Sequence, residues 1–199
     1  MPRVRTVPAE EVTGKAREVY DNAANYGSFS SLVGVMANRP PVLEHTFGLL
    51  LDLKAEGKLP SRYLELALVT VSKLNECVFC VSNHTPRLKA SGISLEAAEN
   101  ILNYSAIEEF DEVDKLVVEF AIAVTNDFHR VRDSMMARLR AHFDDAQIVE
   151  LTWRTALCGA FNRFNDVLQT EIDVGVEVLD SPNAATQSEE VRQTEFHAE

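Results

Sequence analysis

Two cysteines and a histidine lie close together at Cys77, Cys80 and His84, and Glu65 precedes them by twelve residues. On a helix, residues three and four positions apart share one face, so these three side chains would lie within reach of one another. A thiol attacks a peroxide or a disulfide as the thiolate, which a helix N-terminus and a neighbouring imidazolium both favour. The spacing therefore predicts a reactive dithiol, with His84 taking the thiol proton and Glu65 orienting the histidine.

A dithiol of this kind supports a two-step cycle. One thiolate reduces a hydroperoxide and becomes a sulfenic acid, and the neighbouring thiol then condenses with the sulfenic acid to a disulfide. A separate thiol or dithiol reductant must reopen that disulfide. Three cysteines, two of them in such a pair, indicate a reducing compartment, so we expect the protein to be cytoplasmic.

Capping and turn residues divide the chain into helices, and no segment shows the alternation typical of a strand. The pattern predicts an all-α helical bundle. Ser61 is predicted to cap a helix over 62–73 that carries the glutamate, and Asn75 to cap a helix over 76–89 that carries the dithiol. The other predicted helices span 9–25, 31–37, 41–56, 94–103, 111–126, 132–142 and 144–169.

Composition argues against nucleic acid and membranes as partners. The formal net charge is -12, and without clustered Lys and Arg we expect no nucleic acid as a partner. The apolar runs are too short to span a membrane, and residues 1–28 lack the apolar core of a signal peptide. We predict a single all-α domain over 1–180 and a flexible polar tail over 181–199, because the tail has too few apolar residues to bury.

The pattern E-x11-C-x-x-C-x-x-x-H within residues 62–92 resembles the alkylhydroperoxidase D-like branch of the carboxymuconolactone decarboxylase superfamily. This resemblance implies an all-α bundle of that type and peroxidase or disulfide reductase activity. It also implies that the activity needs neither a metal nor an organic cofactor. Members of this branch form homo-oligomers, often trimers or hexamers, so we expect a homo-oligomer here.

The resemblance also implies a role for each residue of the motif. Glu65 corresponds to the proton-relay glutamate, Cys77 to the resolving cysteine, Cys80 to the peroxidatic cysteine and His84 to its partner histidine. One position departs from the family pattern, because Phe79 stands where the best-studied members have a second histidine. The departure removes one proton carrier and leaves the reductant unidentified.

Other interpretations of the same residues stay open at this point. The dithiol could serve as a thiol–disulfide oxidoreductase or redox sensor without peroxide turnover. The four motif residues could instead bind zinc, or the cysteines could simply pack between helices. A lactone decarboxylase, the activity that names the superfamily, is a further alternative, although that reaction needs no cysteine pair. Glu65 could also be a structural partner of Arg62 or Arg163.

Several residues outside the motif are interpreted as structural. Cys158 lies among small apolar residues and is predicted to be in the core, and His45 is predicted to have no role in the site. Trp153, Phe161 and Phe164 are spaced for a core or for a subunit interface.

A weak internal similarity relates residues 63–66 to 148–151. It places Asn162, Asn165 and Gln169 at the positions of the two cysteines and the histidine. One interpretation is a duplicated helical unit with its chemistry kept in one half, and chance similarity between amphipathic helices is the other.

Overall fold

The computed structural model describes residues 2–179, and all regular secondary structure in that range is helical. This confirms the predicted all-α fold class. The predicted tail over 181–199 lies outside the described residues. The α-helices are α1 (Gly14–Asn22), α2 (Ser30–Met36), α3 (Pro40–Val42), α4 (Gly48–Glu56), α5 (Ser61–Leu74), α6 (Val78–Ala90), α7 (Leu95–Glu99), α8 (Glu112–Asn126), α9 (Asp133–Arg140) and α10 (Asp145–Leu168).

Several predicted helices are divided or shifted. The predicted helix over 9–25 consists of a 3-10 turn (Ala9–Glu11), α1 and a second 3-10 turn (Ala23–Asn25), because Gly14 adopts a left-handed φ of 63° at the start of α1. A π-helical segment (Leu43–Phe47) joins α3 to α4. The predicted helix over 94–103 is α7 followed by part of a 3-10 helix (Ile101–Ala106).

The predicted cap of α5 is wrong. Ser61 is the first residue of that helix, and Pro60 occupies the N-cap position without a side-chain hydrogen bond. Proline favours the extended backbone of an N-cap and lacks the N–H that a helix start leaves unpaired. Glu65 consequently lies in the first two turns of α5, as the sequence indicated.

The predicted start of α6 is also wrong. Asn75 is the C-cap of α5 rather than the N-cap of α6, and Glu76 adopts a left-handed φ of 55° that interrupts the right-handed helical backbone between the two helices. The N-cap of α6 is Cys77, whose backbone N–H donates to the Ser72 carbonyl over 3.0 Å. The dithiol therefore lies at the very N-terminus of the helix, two positions earlier relative to the helix start than predicted.

Two apolar clusters form the interior. In the first, α5 packs against α8 and α10 through buried side chains such as Leu66, Val69, Phe120 and Leu151. The second contains the N-terminal segments and both cysteines of the pair, with Phe29, Phe47 and Phe79 among its members. The dithiol thus belongs to a different apolar cluster from most of α5.

Within residues 2–179, no helix combines the length and apolarity that a bilayer crossing requires.

Candidate active site

The two cysteines of the motif are free thiols in contact with each other. Their Sγ atoms are 2.8 Å apart, and both residues are buried. Cys80 occupies the first turn of α6, where backbone N–H groups have no partner within the helix and the helix dipole favours negative charge. The two thiols are close enough to form a disulfide, and their position favours a thiolate.

Hydrogen bonds single out Cys80 as the more acidic thiol. Donation from the Cys77 thiol lowers the pKa of Cys80 against the effect of burial, and the side-chain amides of Asn162 and Asn165 lower it further. The Asn165 amide nitrogen lies 3.5 Å from Cys80 Sγ. Donating to Cys80 and being buried both raise the pKa of Cys77. The pair thus contains one thiol prepared to ionise and one held protonated beside it.

His84 and Glu65 form the second part of the site. His84 Nδ1 is 2.8 Å from Glu65 Oε2, and Arg87 Nε is 3.0 Å from Glu65 Oε1. Burial alone would raise the pKa of Glu65, but His84, Arg87 and Arg154 together hold it below its ordinary value. Glu65 is therefore an ionised, buried carboxylate that fixes the orientation of the imidazole.

The structural partners considered for Glu65 were wrong. Arg62 instead pairs with the fully buried Asp114, at 2.6 Å and 2.8 Å, and Arg163 donates to the Gly159 carbonyl. Because Arg62 and Arg163 both bind other groups, the partners of Glu65 are His84 and Arg87. Arg87 was not predicted from the sequence.

A narrow cavity connects the dithiol to His84. It has about 440 Å³ of empty space including its open mouth. Among the hydrogen bonds of residues 2–179, none joins His84 to either cysteine, so a proton would pass between Cys80 and His84 through the contents of this cavity. Its lining residues are Tyr26, Phe29, Leu32, Phe47, Leu50, Leu68, Phe79, Cys80, His84, Arg154, Leu157, Cys158, Phe161 and Asn165.

Aromatic rings and a buried cation form much of the wall. The ring centroids of Phe29 and His84 are 5.7 Å apart, and those of Phe29 and Tyr26 are 5.6 Å apart. Arg154 donates a hydrogen bond to the Tyr26 hydroxyl, and its guanidinium carbon lies 5.6 Å from the centre of that ring. Arg154 is a functional candidate that the sequence patterns did not reveal, because its neighbours come from the distant N-terminal segment.

The remaining candidates from the sequence fall outside the reacting pair. Cys158 is buried, burial raises its pKa, and its Sγ lies 3.5 Å from Ser72 Oγ. His45 is exposed and does not line the cavity. Cys158 does line the cavity wall, as a packed thiol rather than an ionised one.

Among the described residues, no three potential ligands are grouped so that they could hold a metal ion. Both carboxylate oxygens of Glu65 already contact His84 and Arg87. The four-ligand zinc site considered from the sequence is therefore not assembled in residues 2–179.

The weak internal similarity pointed to two residues that do reach the site. Asn162 and Asn165 come from α10, and both affect Cys80, whereas Gln169 lies at the C-cap of that helix. Asn162 Oδ1 also accepts a hydrogen bond of 2.9 Å from Asn75 at the junction of α5 and α6. The polar positions of α10 thus face the dithiol directly.

Residues 40–107 match the model of the carboxymuconolactone decarboxylase family. This segment contains the whole motif and α3 to α7. Over this segment, the chain is similar to that family. A curated relative, the uncharacterized protein YdfG of Bacillus subtilis, is 26% identical over 102 residues, which are 51% of this chain and 69% of the relative.

Solved structures share the fold over a larger part of the chain. An alkylhydroperoxidase AhpD core protein from Ralstonia eutropha, described as peroxidase-related, superposes with a TM-score of 0.75 at 21% identity, over 87% of this chain and 93% of its own. The debrominase Bmp8, in a variant complexed with 2,3,4-tribromopyrrole, gives a TM-score of 0.63 at 16% identity, over 79% and 84% of the two chains. At these identities the likeness shows the alkylhydroperoxidase D-like fold, which is evidently compatible with more than one reaction.

Proposed function

We propose that this protein is a thiol-dependent peroxidase that reduces hydroperoxides through a dithiol–disulfide cycle of Cys77 and Cys80. The observation that carries the proposal is the unequal pair of touching thiols, in which Cys80 has the lowered pKa and also lines the cavity. The named structural neighbour described as peroxidase-related supports the same class of reaction.

The proposed cycle begins at Cys80. Its thiolate attacks the terminal oxygen of a hydroperoxide, so that an S–O bond forms and the O–O bond breaks. The departing alkoxide takes a proton by way of His84, which Glu65 orients, and leaves as the alcohol. Cys77 then attacks the Cys80 sulfenic acid, a disulfide forms and water leaves. A thiol or dithiol reductant, in a reducing cytoplasm, returns both cysteines to thiols.

Single-cysteine variants test the proposal. We expect the wild type to lose two thiols after one equivalent of hydroperoxide, whereas Cys80→Ser should lose none and show no turnover. Cys77→Ser should still react once and accumulate a sulfenic acid at Cys80 that dimedone traps. Cys158→Ala is the matched control, because Cys158 is equally buried but has a raised pKa. It should react like the wild type. A Cys80→Ser protein with undiminished peroxide turnover would contradict the proposal.

A thiol–disulfide oxidoreductase or redox sensor is the second candidate. The observation that favours it is Phe79, an apolar side chain between the two cysteines. This candidate requires the same disulfide but no saturable peroxide reaction. Stopped-flow kinetics with a hydroperoxide separate the two, because saturation with turnover supports the peroxidase, and exchange with disulfides alone supports the oxidoreductase.

A further inference from the structure

We propose that the cavity binds a substrate that carries an anionic group, and that Arg154 is the residue that binds it. The reacting end of such a substrate would lie at Cys80, which lines the same cavity. This inference deepens the proposed peroxidase function and takes from it only the position of the reacting group.

The first observation is that Arg154 is a buried cation that forms no ion pair among residues 2–179, although its charge acts to lower the pKa of Glu65 and of Glu150 from beyond ion-pair distance. Its residue is 2% exposed, and it donates a hydrogen bond to the Tyr26 hydroxyl. Among residues 2–179 it forms no ion pair, since Glu65 is taken by His84 and Arg87, and Glu150, one turn earlier on α10, is beyond ion-pair distance. A buried charge is costly unless it is paired, so this site is stabilised when an anion enters.

Arg62, in contrast, is an arginine of the same protein that forms an ion pair with a carboxylate. Arg62 places two guanidinium nitrogens on the two carboxylate oxygens of Asp114, the geometry that arginine prefers with carboxylates. Arg154 has the same chemistry available but lines a cavity instead of meeting a carboxylate. An incoming carboxylate could form there the ion pair that Asp114 supplies to Arg62.

The second observation concerns Asn165, which lines the same cavity. The Asn165 amide nitrogen lies 3.5 Å from Cys80, while its carbonyl oxygen is buried and has no hydrogen-bond partner. A buried acceptor of this kind is matched by a ligand with an O–H donor, such as a hydroperoxide. The cavity wall therefore contains an acceptor without a hydrogen bond beside the nucleophile and a cation without an ion pair.

The positions of these two residues on α10 limit the ligand. The backbones of Arg154 and Asn165 are eleven residues apart, about 16 Å along the helix axis, and lie on the same face of α10. Between them the wall is mainly apolar, including Leu157 and Phe161. The substrate class that matches is an apolar carboxylate whose hydroperoxide is separated from the charged group by an alkyl chain, such as a medium-chain ω-hydroperoxy acid. The carboxylate takes no part in the bond changes at sulfur.

Binding of unreactive analogues tests the site without relying on turnover. Calorimetry on the Cys80→Ser protein would compare octanoate with octanamide, which has the same chain without the charge. We expect octanoate to bind about tenfold more tightly or better, as hydrogen bonds to a buried charge allow. In Arg154→Gln that preference should fall to about one. Arg163→Gln is the matched control, because Arg163 is on the same helix outside the cavity lining and should leave the preference intact.

Equal binding of octanoate and octanamide, or a preference that survives Arg154→Gln, would overturn the inference. If Arg154→Gln does not fold, Arg154→Met tests the same loss of charge with an apolar side chain. Turnover of 8-hydroperoxyoctanoate and its amide then separates the two proposals. A wild type that prefers octanoate but reduces neither hydroperoxide contradicts only the peroxidase. A wild type that reduces both equally, with KM unchanged in Arg154→Gln, contradicts only the anion site.

Discussion

Among single residues, the cysteine pair and Glu65 have different roles, although both belong to one sequence motif. Cys77 and Cys80 differ in pKa because one donates the hydrogen bond that the other accepts. Glu65 acts on the imidazole of His84 and touches neither thiol. The reactivity of Cys80 should therefore depend on its amide donors, and the stability of the fold on Glu65.

Asn165 should control the acidity of Cys80. Replacing it by leucine removes an N–H donor from the thiolate, so the pKa of Cys80 should rise and its alkylation profile should shift to higher pH. At pH 7 we expect the rate with hydroperoxide to fall about tenfold, the value of one hydrogen bond to a charged group. The measurement is the pH dependence of iodoacetamide alkylation, followed at the Cys80 peptide by mass spectrometry.

Thr170→Val provides the control for that experiment. Thr170 is also buried near the end of α10, and its hydroxyl likewise has no partner, but it does not contact Cys80. Its alkylation profile should match the wild type. An unshifted profile in Asn165→Leu would show that Asn165 does not stabilise the thiolate.

Glu65→Gln should destabilise the fold, by about 3 kcal/mol at pH 7, because it leaves Arg87 beside a neutral group in a buried site. The pKa of Glu65 is lowered in the folded protein, so its contribution is present above the ordinary glutamate pKa of about 4.3 and is lost as the pH falls through the lower folded value. The difference between variant and wild type should therefore shrink between pH 5 and pH 3. Urea unfolding at both ends of this range measures it.

Glu150→Gln is the matched control, because burial raises the pKa of Glu150 and its charge is not favoured by the fold. It should cost little or nothing at pH 7. A Glu65→Gln protein as stable as the wild type, or equally destabilised at pH 3 and pH 7, would refute this account of Glu65.

At the scale of elements, the junction between α5 and α6 decides where the dithiol lies. Glu76 reverses the chain in a left-handed conformation, and Asn75 ties the end of α5 to Asn162 on α10. Cys77 therefore occupies the N-cap of α6 and not the second helical position that was predicted. The helix N-terminus that favours the thiolate is created by this junction.

The N-terminus of α8 is stabilised by its own capping residues. The Asp111 carboxylate accepts from the N–H groups of Val113 and Asp114, and Asp114 reaches back to the Asp111 N–H. We expect Asp111→Ala to lower the free energy of unfolding by about 1 kcal/mol, measured by urea denaturation. Cys80 alkylation should not change, because the buried side chains of α8 belong to the first apolar cluster and the dithiol belongs to the second.

Glu112→Ala is the control for the cap, since Glu112 is exposed in the first turn and makes no capping bond. Its stability should stay within about 0.5 kcal/mol of the wild type. Equal stability of the two variants would mean that the Asp111 cap contributes nothing.

At the scale of the whole molecule, α10 has two different faces. Asn162, Asn165 and Arg154 point towards the site, whereas Val149 and Trp153 are 68% and 51% exposed. Of the two positions predicted for Trp153, this exposure leaves the subunit interface. Phe161 and Phe164 are partly buried against the second cluster, as a core position would be.

The exposed face of α10 is where we expect copies of this chain to meet. An exposed tryptophan one helical turn from an exposed valine is typical of surfaces that become buried when subunits associate. We predict a homo-oligomer by light scattering, and Trp153→Glu should shift it towards the monomer. Val174→Glu, at a fully exposed valine in a segment without helix, is the control. A monomeric wild type, or unchanged assembly in Trp153→Glu, would contradict the prediction.

Local patterns in the sequence were enough to predict the fold class, the positions of most helices and the residues of the dithiol motif. These features follow from local spacing, because apolar periodicity, helix punctuation and neighbours at three and four residues are all encoded within one or two turns. Even the weak similarity between the two halves pointed to Asn162 and Asn165.

The partners of these residues depend on the packing of distant helices. Arg154 meets Tyr26 from 128 positions away, and Asn165 meets Cys80 from 85. Glu65 could have paired with Arg62 or Arg163 on sequence grounds, and packing gave it His84 and Arg87 instead. The wrong helix cap predicted at Asn75 has the same origin, because the Asn75 side chain binds Asn162 on α10 instead of capping α6. Pairings across the bundle depend on how distant helices pack, and no pattern confined to a few turns carries that information.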